Sequence, residues 1–282
     1  MVISHAKFAL LADVVRRRSG LLLPANKTDL VKSKLSPVAT RFGFKSVGAM
    51  LAELEDEPEE LASAITEAMT INETSFFRDP ACFDYIRDTV LPALKAARAN
   101  KRRLRIWCCA ASTGQEPYSL AILLSDAGLL SGDWKIDLFA TDLSRNAVAQ
   151  MREGLYAHYE IERGVPPGTL AEHFVQEGEQ WRVADHLRRR LRIRRFNLLD
   201  SYRWLGEIDI VLCRNVLMYF DDTDRREIFA RLDSCLAPDG WLILGTTETT
   251  AQAGETFMPA GSVRGVYVKA RNAAARQARL AG

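Results

Sequence analysis

Four short runs of this chain place polar groups beside turns where a nucleotide-like ligand could approach the backbone. The first is Asn72-Glu73-Thr74-Ser75-Phe76-Phe77-Arg78, which sets an amide, a hydroxyl and a guanidinium among apolar anchors. The second, Ala110-Ala111-Ser112-Thr113-Gly114, is a small-residue turn leading into Gln115-Glu116-Pro117-Tyr118-Ser119. There Glu116 sets a carboxylate at the positive end of a helix. The third, Phe139-Ala140-Thr141-Asp142, ends a strand on an acid that can accept both hydroxyls of a ribose. The fourth, Cys213-Arg214-Asn215-Val216-Leu217-Met218-Tyr219-Phe220, puts a polar pair and an aromatic just past an apolar strand. Taken singly, each has a structural alternative. Glu116, Asp142 and Ser144 can all serve as helix caps, and the lone Gly114 falls short of a G-x-G-x-x-G fingerprint. Their joint order is more specific. A glycine turn, an acid after the second strand and an Asn with an aromatic after a later strand form the layout of a class I S-adenosylmethionine methyltransferase rather than a dehydrogenase.

These groups need strands and helices to hold them. The strand candidates are Leu104–Cys108, Ile136–Ala140, Ile208–Cys213 and Trp241–Gly245, alternating with helix candidates Glu116–Ala127, Ser144–Glu153 and Asp224–Leu236. Alternation of this kind predicts an α/β fold with a parallel, doubly wound sheet. Ligands of such sheets sit beyond the carboxyl ends of the strands. A late hairpin, Thr256–Met258 with Arg264–Lys269, is expected to add antiparallel edge strands, and Asp79-Pro80 to open a helix running to about Ala97. Between 154 and 196 the alternation breaks. A loop at Gly164–Gly168, a turn at Gly178 and the period-2 run Leu191–Phe196 suggest a β-rich insertion at about 174–196. The span Arg182–Arg195 holds seven arginines and one aspartate, which predicts a basic outer face.

Residues 1–70 read as a separate, all-helical domain. Phe8, Leu11, Val14 and Val15 share a face that stops at Ser19-Gly20. A second stripe of Leu30, Val31, Lys34, Leu35, Val38, Ala39 and Phe42 stops at Gly43. Ser46 can cap a third helix through Leu54, and Pro58 suits the first turn of a fourth, with Leu61, Ile65 and Met69 inward. The second domain is expected over 71–270, followed by a tail at 271–282.

The chain has 282 residues, 48% hydrophobic and 26% charged, with a net charge of +2, so it is no general polyanion binder. Its charge is unevenly spread. Residues 1–52 carry nine Lys/Arg against two acids, and six acids crowd into 53–60. This asymmetry fits either an acidic partner or a solvated helix face. Five cysteines without C-x-x-C spacing and four scattered histidines form no metal-ligand pattern and fit a reducing, cytoplasmic setting. Cys108, Cys109 and Cys213 lie in apolar runs and read as small buried hydrophobes. The apolar start at Phe8–Val15 is too short to span a membrane, and its basic residues follow it where a signal peptide has them before.

The run ending in Phe76-Phe77-Arg78, the Gln115-Glu116-Pro117-Tyr118-Ser119 turn and Arg214-Asn215-Val216 together resemble the chemotaxis receptor glutamate O-methyltransferases, the CheR family. The resemblance extends from the N-terminal helices to about Lys269. It implies a helical N-terminal domain, a cofactor-binding α/β domain with an inserted antiparallel β-subdomain, S-adenosylmethionine as cofactor and S-adenosylhomocysteine as product. By motif it places Asn72, Thr74 and Arg78 along the cofactor, Glu116 at its amino-acid end and Asp142 at the ribose. Asn197-Leu198 and Asn215-Val216 would flank the adenine and the methionine portion, while Arg78 and Tyr219 would orient the substrate. The implied acceptor is a glutamate on the cytoplasmic helices of a chemoreceptor, met by the basic helices at Arg16, Arg17 and Arg18. The enzyme would be cytoplasmic and recruited to membrane receptor arrays, with no metal, nucleic acid or membrane insertion. Ala110-Ala111 stands where many members have Gly-Cys, and the short β-rich segment lacks the glycine-rich loop of members that dock a receptor's tether peptide. Two rival readings are a nucleic-acid methyltransferase using the Arg182–Arg195 run and a non-catalytic adenosyl-ligand sensor. Against the first, no Asn/Asp-Pro-Pro-Tyr motif follows Ile208–Cys213.

Overall fold

A computed structural model of the chain describes residues 3–24 and 28–272; the expected tail lies outside them from 273 onward. The chain divides into two compact units. One comprises the residues up to Ile71 together with Tyr219–Asp224, and the other holds the remainder. Tyr219–Asp224 thus falls outside the unit expected over 71–270.

In the helical unit, α1 (His5–Ser19) is capped by Ser4 and buries Phe8, Leu11, Val14 and Val15. Gly20, at φ +76°, closes it by returning its N–H to the Arg16 carbonyl. Helix α2 (Thr28–Arg41) buries Val31, Leu35, Val38 and Ala39, whereas Leu30 lies off the stripe at 41% exposure. Ser46 caps α3 (Val47–Met50), which is a single turn instead of a helix to Leu54. A 3-10 turn at Glu53–Asp56 follows it. Leu51 and Leu54 are both fully buried, and their spacing of three suits the tighter winding. Pro58 precedes α4 (Glu59–Met69) as its N-cap, and Leu61, Ile65 and Met69 point inward.

The basic and acidic segments of this unit largely answer each other. Arg17 pairs with Asp13 and Glu57, Arg18 with Glu59, and Arg16 with Asp221.

The second unit opens with α5 (Pro80–Tyr85) and α6 (Leu91–Ala97), joined without a break by a π turn at Ile86–Val90. Pro92 has no N–H to continue the regular ladder, and the helix widens just before it. Next come β1 (Arg103–Cys109), α7 (Gln115–Asp126), β2 (Lys135–Asp142) and α8 (Arg145–Glu153). The insertion follows as β3 (Leu155–Ala157), α9 (His158–Glu162), α10 (Pro167–His173), β4 (Phe174–Glu177), β5 (Gln180–Val183) and α11 (Asp185–Arg188). The chain then returns through β6 (Leu191–Arg195), β7 (Ile208–Cys213), α12 (Asp222–Cys235), β8 (Leu236–Leu244), β9 (Phe257–Pro259) and β10 (Val266–Lys269).

The main sheet runs β6-β2-β1-β7-β8-β10-β9. Its first five strands are parallel, and the late hairpin is antiparallel as expected. The strand order reverses between β1 and β7, both buried in apolar core, so their carboxyl ends flank the switch point.

The insertion forms its own antiparallel sheet, β3-β5-β4. Two expectations need correction here. Leu191–Arg195 pairs in parallel with β2 and so belongs to the main sheet; its period-2 pattern marks a strand with one face covered, which an edge position also satisfies. Pro167 opens a helix where a loop was read, because a proline at the first helical position gives up an N–H that has no partner there.

The arginines of 182–195 do not form a free basic face either. Arg182 binds Glu177, Arg188 and Arg189 bind Asp185, and Arg192 binds the fully buried Asp137 at 2.6 Å. Arg190 and Arg195 donate to the carbonyls of Leu130 and Leu143, and Arg194 stacks 4.6 Å over Trp204. All five cysteines are free and buried. Among the described residues no helix is long and apolar enough to cross a membrane.

Two glycines four residues apart test the packing. A Cβ on Gly164 would stand 2.0 Å from the Phe76 carbonyl oxygen, whereas one on the helical Gly168 would meet nothing within 4 Å. In urea unfolding, Gly164→Ala is expected to lose about 1–3 kcal/mol. Gly168→Ala is expected to gain about 0.5–1 kcal/mol.

Candidate active site

The turns at the switch point are held in backbone conformations that L-residues rarely adopt. Of the seven described non-glycine residues with positive φ, five flank this region: Phe77, Asp79, Ala110, Ser112 and Asn215. Strain concentrated in one place marks a site whose surroundings dictate its geometry. It also gives the Ala110 departure a physical meaning, since at φ +50° a glycine would sit there with less strain.

Each predicted group can be placed. The Asn72 carbonyl accepts from the Ser112 hydroxyl at 2.9 Å, which ties the first run to the glycine turn. Thr74 and Arg78 are half-buried, and Arg78 donates to the Glu73 carbonyl at 3.2 Å. The same run is pinned to α7 by Ser119, fully buried, whose hydroxyl accepts from the Phe77 N–H at 2.8 Å and donates to the Gln115 carbonyl. Asp142 ends β2, as expected, with its carboxylate accepting the N–H groups of Ser112 and Ser144 at 2.8 and 2.9 Å. Ser144 is the side chain that caps α8. Asn197 folds its side-chain oxygen onto the Leu199 N–H, and Leu198 is buried beside it. Asn215 and Val216 follow β7 directly. Tyr219 groups with the helical unit, where its carbonyl accepts from the Leu22 N–H. The other nine predicted residues belong to the second unit.

Glu116 stands in the first turn of α7 and is largely buried. One of its oxygens accepts from Arg214 at 2.8 Å. Burial raises its pKa above the ordinary glutamate range, and the nearby charges of Arg214 and Arg78 offset that only in part. Arg214 is the hub that sequence reasoning undervalued. Its side chain is 1% exposed and reaches Glu116, Asp79 at 2.6 Å and the Arg78 carbonyl at 2.8 Å, over the face of Phe83. Burial works against its charge, and the carboxylates of Glu116 and Asp79 outweigh that. Its Nε–H is buried and has no partner. The available signal was a lone cation directly after the apolar run Ile210–Cys213.

Two further residues went unread. Tyr156 on β3 donates to the Thr113 carbonyl at 2.7 Å and meets Phe76 edge-on at 5.0 Å, so the insertion braces both the glycine turn and the first run. Gly114 has to be bare, because a Cβ there would lie 2.6 Å from Met151 and 2.9 Å from the Tyr156 hydroxyl. Glu248, just beyond β8, gathers four backbone N–H groups around one carboxylate. The fold also brings His173, Asp126 and Glu172 together away from these turns, with the His173 ring 3.0 Å from Asp126.

The donor set fits an adenosyl amino-acid cofactor. A buried carboxylate heads α7, an acid ends the second strand, and a buried guanidinium keeps an unengaged N–H. A doubly wound sheet with these groups at its switch point is that of a class I S-adenosylmethionine-dependent methyltransferase. Two family models cover nearly all of the globular chain: "CheR methyltransferase, SAM binding domain" matches residues 72–266 and "CheR methyltransferase, all-alpha domain" matches residues 6–70. The chain belongs to the CheR methyltransferase family. It is similar to Chemotaxis protein methyltransferase 1 of Pseudomonas aeruginosa, at 34% identity over 275 residues, covering 96% of this chain and 100% of that protein. Similarity to Chemotaxis protein methyltransferase Cher2 of Pseudomonas putida is 38% over 240 residues, covering 83% and 86%. For the Chemotaxis protein methyltransferase of Escherichia coli it is 32% over 265 residues, covering 91% and 89%.

Removing the hub cation leaves two carboxylates in a poorly solvated site. Arg214→Met is therefore expected to cost about 3–5 kcal/mol of stability in urea unfolding. Adding Glu116→Gln to it is expected to recover part of that loss.

Proposed function

We propose that this enzyme methylates glutamate side-chain carboxylates on the cytoplasmic helices of chemoreceptors, giving methyl esters. The observation that carries the reading is the buried Glu116–Arg214 pair at the switch point, with Asp142 at the end of β2. The names of the relatives, all chemotaxis protein methyltransferases, support the acceptor.

When bound, S-adenosylmethionine supplies an electrophilic methyl group on a sulfonium. The residues of this chain supply position. In this reading Glu116 uses its remaining oxygen for the cofactor's ammonium, and Asp142 keeps lone pairs for the ribose hydroxyls. Asn72, Thr74, Asn197-Leu198 and Asn215-Val216 flank the rest. A glutamate with a pKa of about 4.3 is already ionised at neutral pH, so no general base is required. Catalysis then rests on orientation, which can lower a barrier by roughly 7–11 kcal/mol. Arg78 steers the acceptor carboxylate and Tyr219 orients it.

The basic face of the N-terminal helices is the proposed landing surface, at Arg16, Arg17 and Arg18. Their present partners are carboxylates at the surface, and exposed pairs of this kind contribute little to stability, so receptor carboxylates can exchange for them. The site of action is then the cytoplasmic side of receptor arrays.

Labelled methyl transferred from S-adenosylmethionine to a receptor cytoplasmic fragment should be released by mild alkali as methanol. Alkali-stable label, or label on RNA or DNA instead, would overturn the acceptor. Raising ionic strength should depress the rate steeply. Tyr219→Phe is expected to lower turnover with little change in cofactor affinity, and Asp142→Ala to weaken cofactor binding chiefly. Cofactor affinity should also fall on acidification at a higher pH than an ordinary glutamate would give, because binding the ammonium needs the ionised form of Glu116, whose pKa is raised. Glu116→Gln should flatten that profile. The same shift acts on stability with the opposite sense. Glu116 favours folding most in acid, and that contribution is lost as pH rises through its folded-state pKa.

A further inference from the structure

Glu248 lies outside every motif that carries the cofactor reading, yet it controls the shape of one edge of the site. It is 8% exposed. One carboxylate oxygen accepts from the Asn215 N–H at 2.7 Å and the Gly245 N–H at 2.8 Å. The other accepts from Val216 at 2.9 Å and Leu217 at 2.8 Å. One side chain at the end of β8 thus satisfies three successive N–H groups of the segment after β7, together with one from its own turn. Those donors would otherwise be unpaired in a largely buried place, at a cost comparable to a lost hydrogen bond for each. The arrangement also bends the segment, since Asn215 sits at φ +57°. Gly245 completes the seat. A Cβ on it would lie 2.7 Å from the Asn215 side-chain nitrogen and 2.9 Å from a Glu248 oxygen.

We infer that Glu248 is a positioning residue for cofactor binding, acting through the backbone of Asn215 and Val216. The inference rests on the proposal that these two residues flank the cofactor. A carboxylate is required because each of its oxygens accepts two N–H bonds. An amide in its place has only one such oxygen and turns an N–H₂ toward two donors.

Binding of S-adenosylhomocysteine by calorimetry, with steady-state kinetics on a receptor fragment, tests this on the full chain. Glu248→Gln should raise the Kd for S-adenosylhomocysteine at least tenfold. It should raise the KM for S-adenosylmethionine in parallel, while kcat at saturating cofactor stays within about threefold. A loss confined to thermal stability, with the Kd unchanged in the folded protein, would overturn the inference. Gly245→Ala perturbs the same seat from the other side and should shift the Kd in the same direction; an unchanged Kd there would count against it. Asn215→Ala separates the two claims. If Asn215→Ala leaves cofactor affinity intact, the parent reading of that edge fails. If it weakens binding and Glu248→Gln does not, only the role of Glu248 fails. In the Asn215→Ala background, Glu248→Gln should add less than in the native chain, because both act on one segment. Full additivity would mean that Glu248 acts elsewhere.

Discussion

A single buried guanidinium ties together the turns at the switch point of the larger unit. Arg214 follows β7 and reaches the segment before α5 through Asp79 and the Arg78 carbonyl, and the head of α7 through Glu116. These are three stretches of chain widely separated in sequence. Non-directional apolar burial could bring them near one another. It could not set the angle at which the glycine turn, the first run and the end of β7 face a common space. A planar fork with fixed donor directions can do so. The arrangement has its own electrostatic cost, because a buried cation needs carboxylates, and burial makes the Glu116 carboxyl resist ionisation despite the cation beside it. The chemistry attributed to Glu116 and the rigidity supplied by Arg214 are therefore two views of one ion pair.

Bracing comes from outside the parallel sheet as well. The insertion sends Tyr156 to the Thr113 carbonyl, and Phe76 packs edge-on between Tyr156 and Phe174. Glu160 adds a second link, accepting from the Gln115 side chain at 3.0 Å while it caps its own helix at the Ala157 N–H. The small sheet is thus bonded to the same turn and the same aromatic run that the guanidinium hub aligns. A partner engaging that sheet would be mechanically connected to the glycine turn and the head of α7.

Much of this was legible in the sequence because it follows from periodicity. Phe8, Leu11, Val14 and Val15 repeat at helical spacing and are buried. Ile208–Cys213 is apolar but for Asp209 and proved to be an interior parallel strand. The position of Asp142 at the end of its strand came from the same logic. What escaped were features set by long-range pairing. Leu191–Arg195 alternates like any half-covered strand, and only its partner β2 reveals which sheet it joins. The seven arginines of 182–195 read as a charged face because sequence lists cations without their acceptors, one of which is the distant, fully buried Asp137. Arg214 and Glu248 were passed over for a related reason. Their importance lies in bonding segments remote from themselves, and neither the type of a residue nor its neighbours in the chain encodes that.

The burial of every cysteine has a consequence for how this protein meets oxidants. Burial lifts the thiol of Cys82 to about 11 and that of Cys235 to about 12, and pushes Cys108 and Cys109 well above the usual thiol range. Peroxide and disulfide exchange both require thiolate. At these four sulfurs the native fold presents almost none, so their oxidation has to pass through an opened chain. The rate at which these four sulfurs become modifiable is then a clock for unfolding, and redox tolerance and conformational stability become one property.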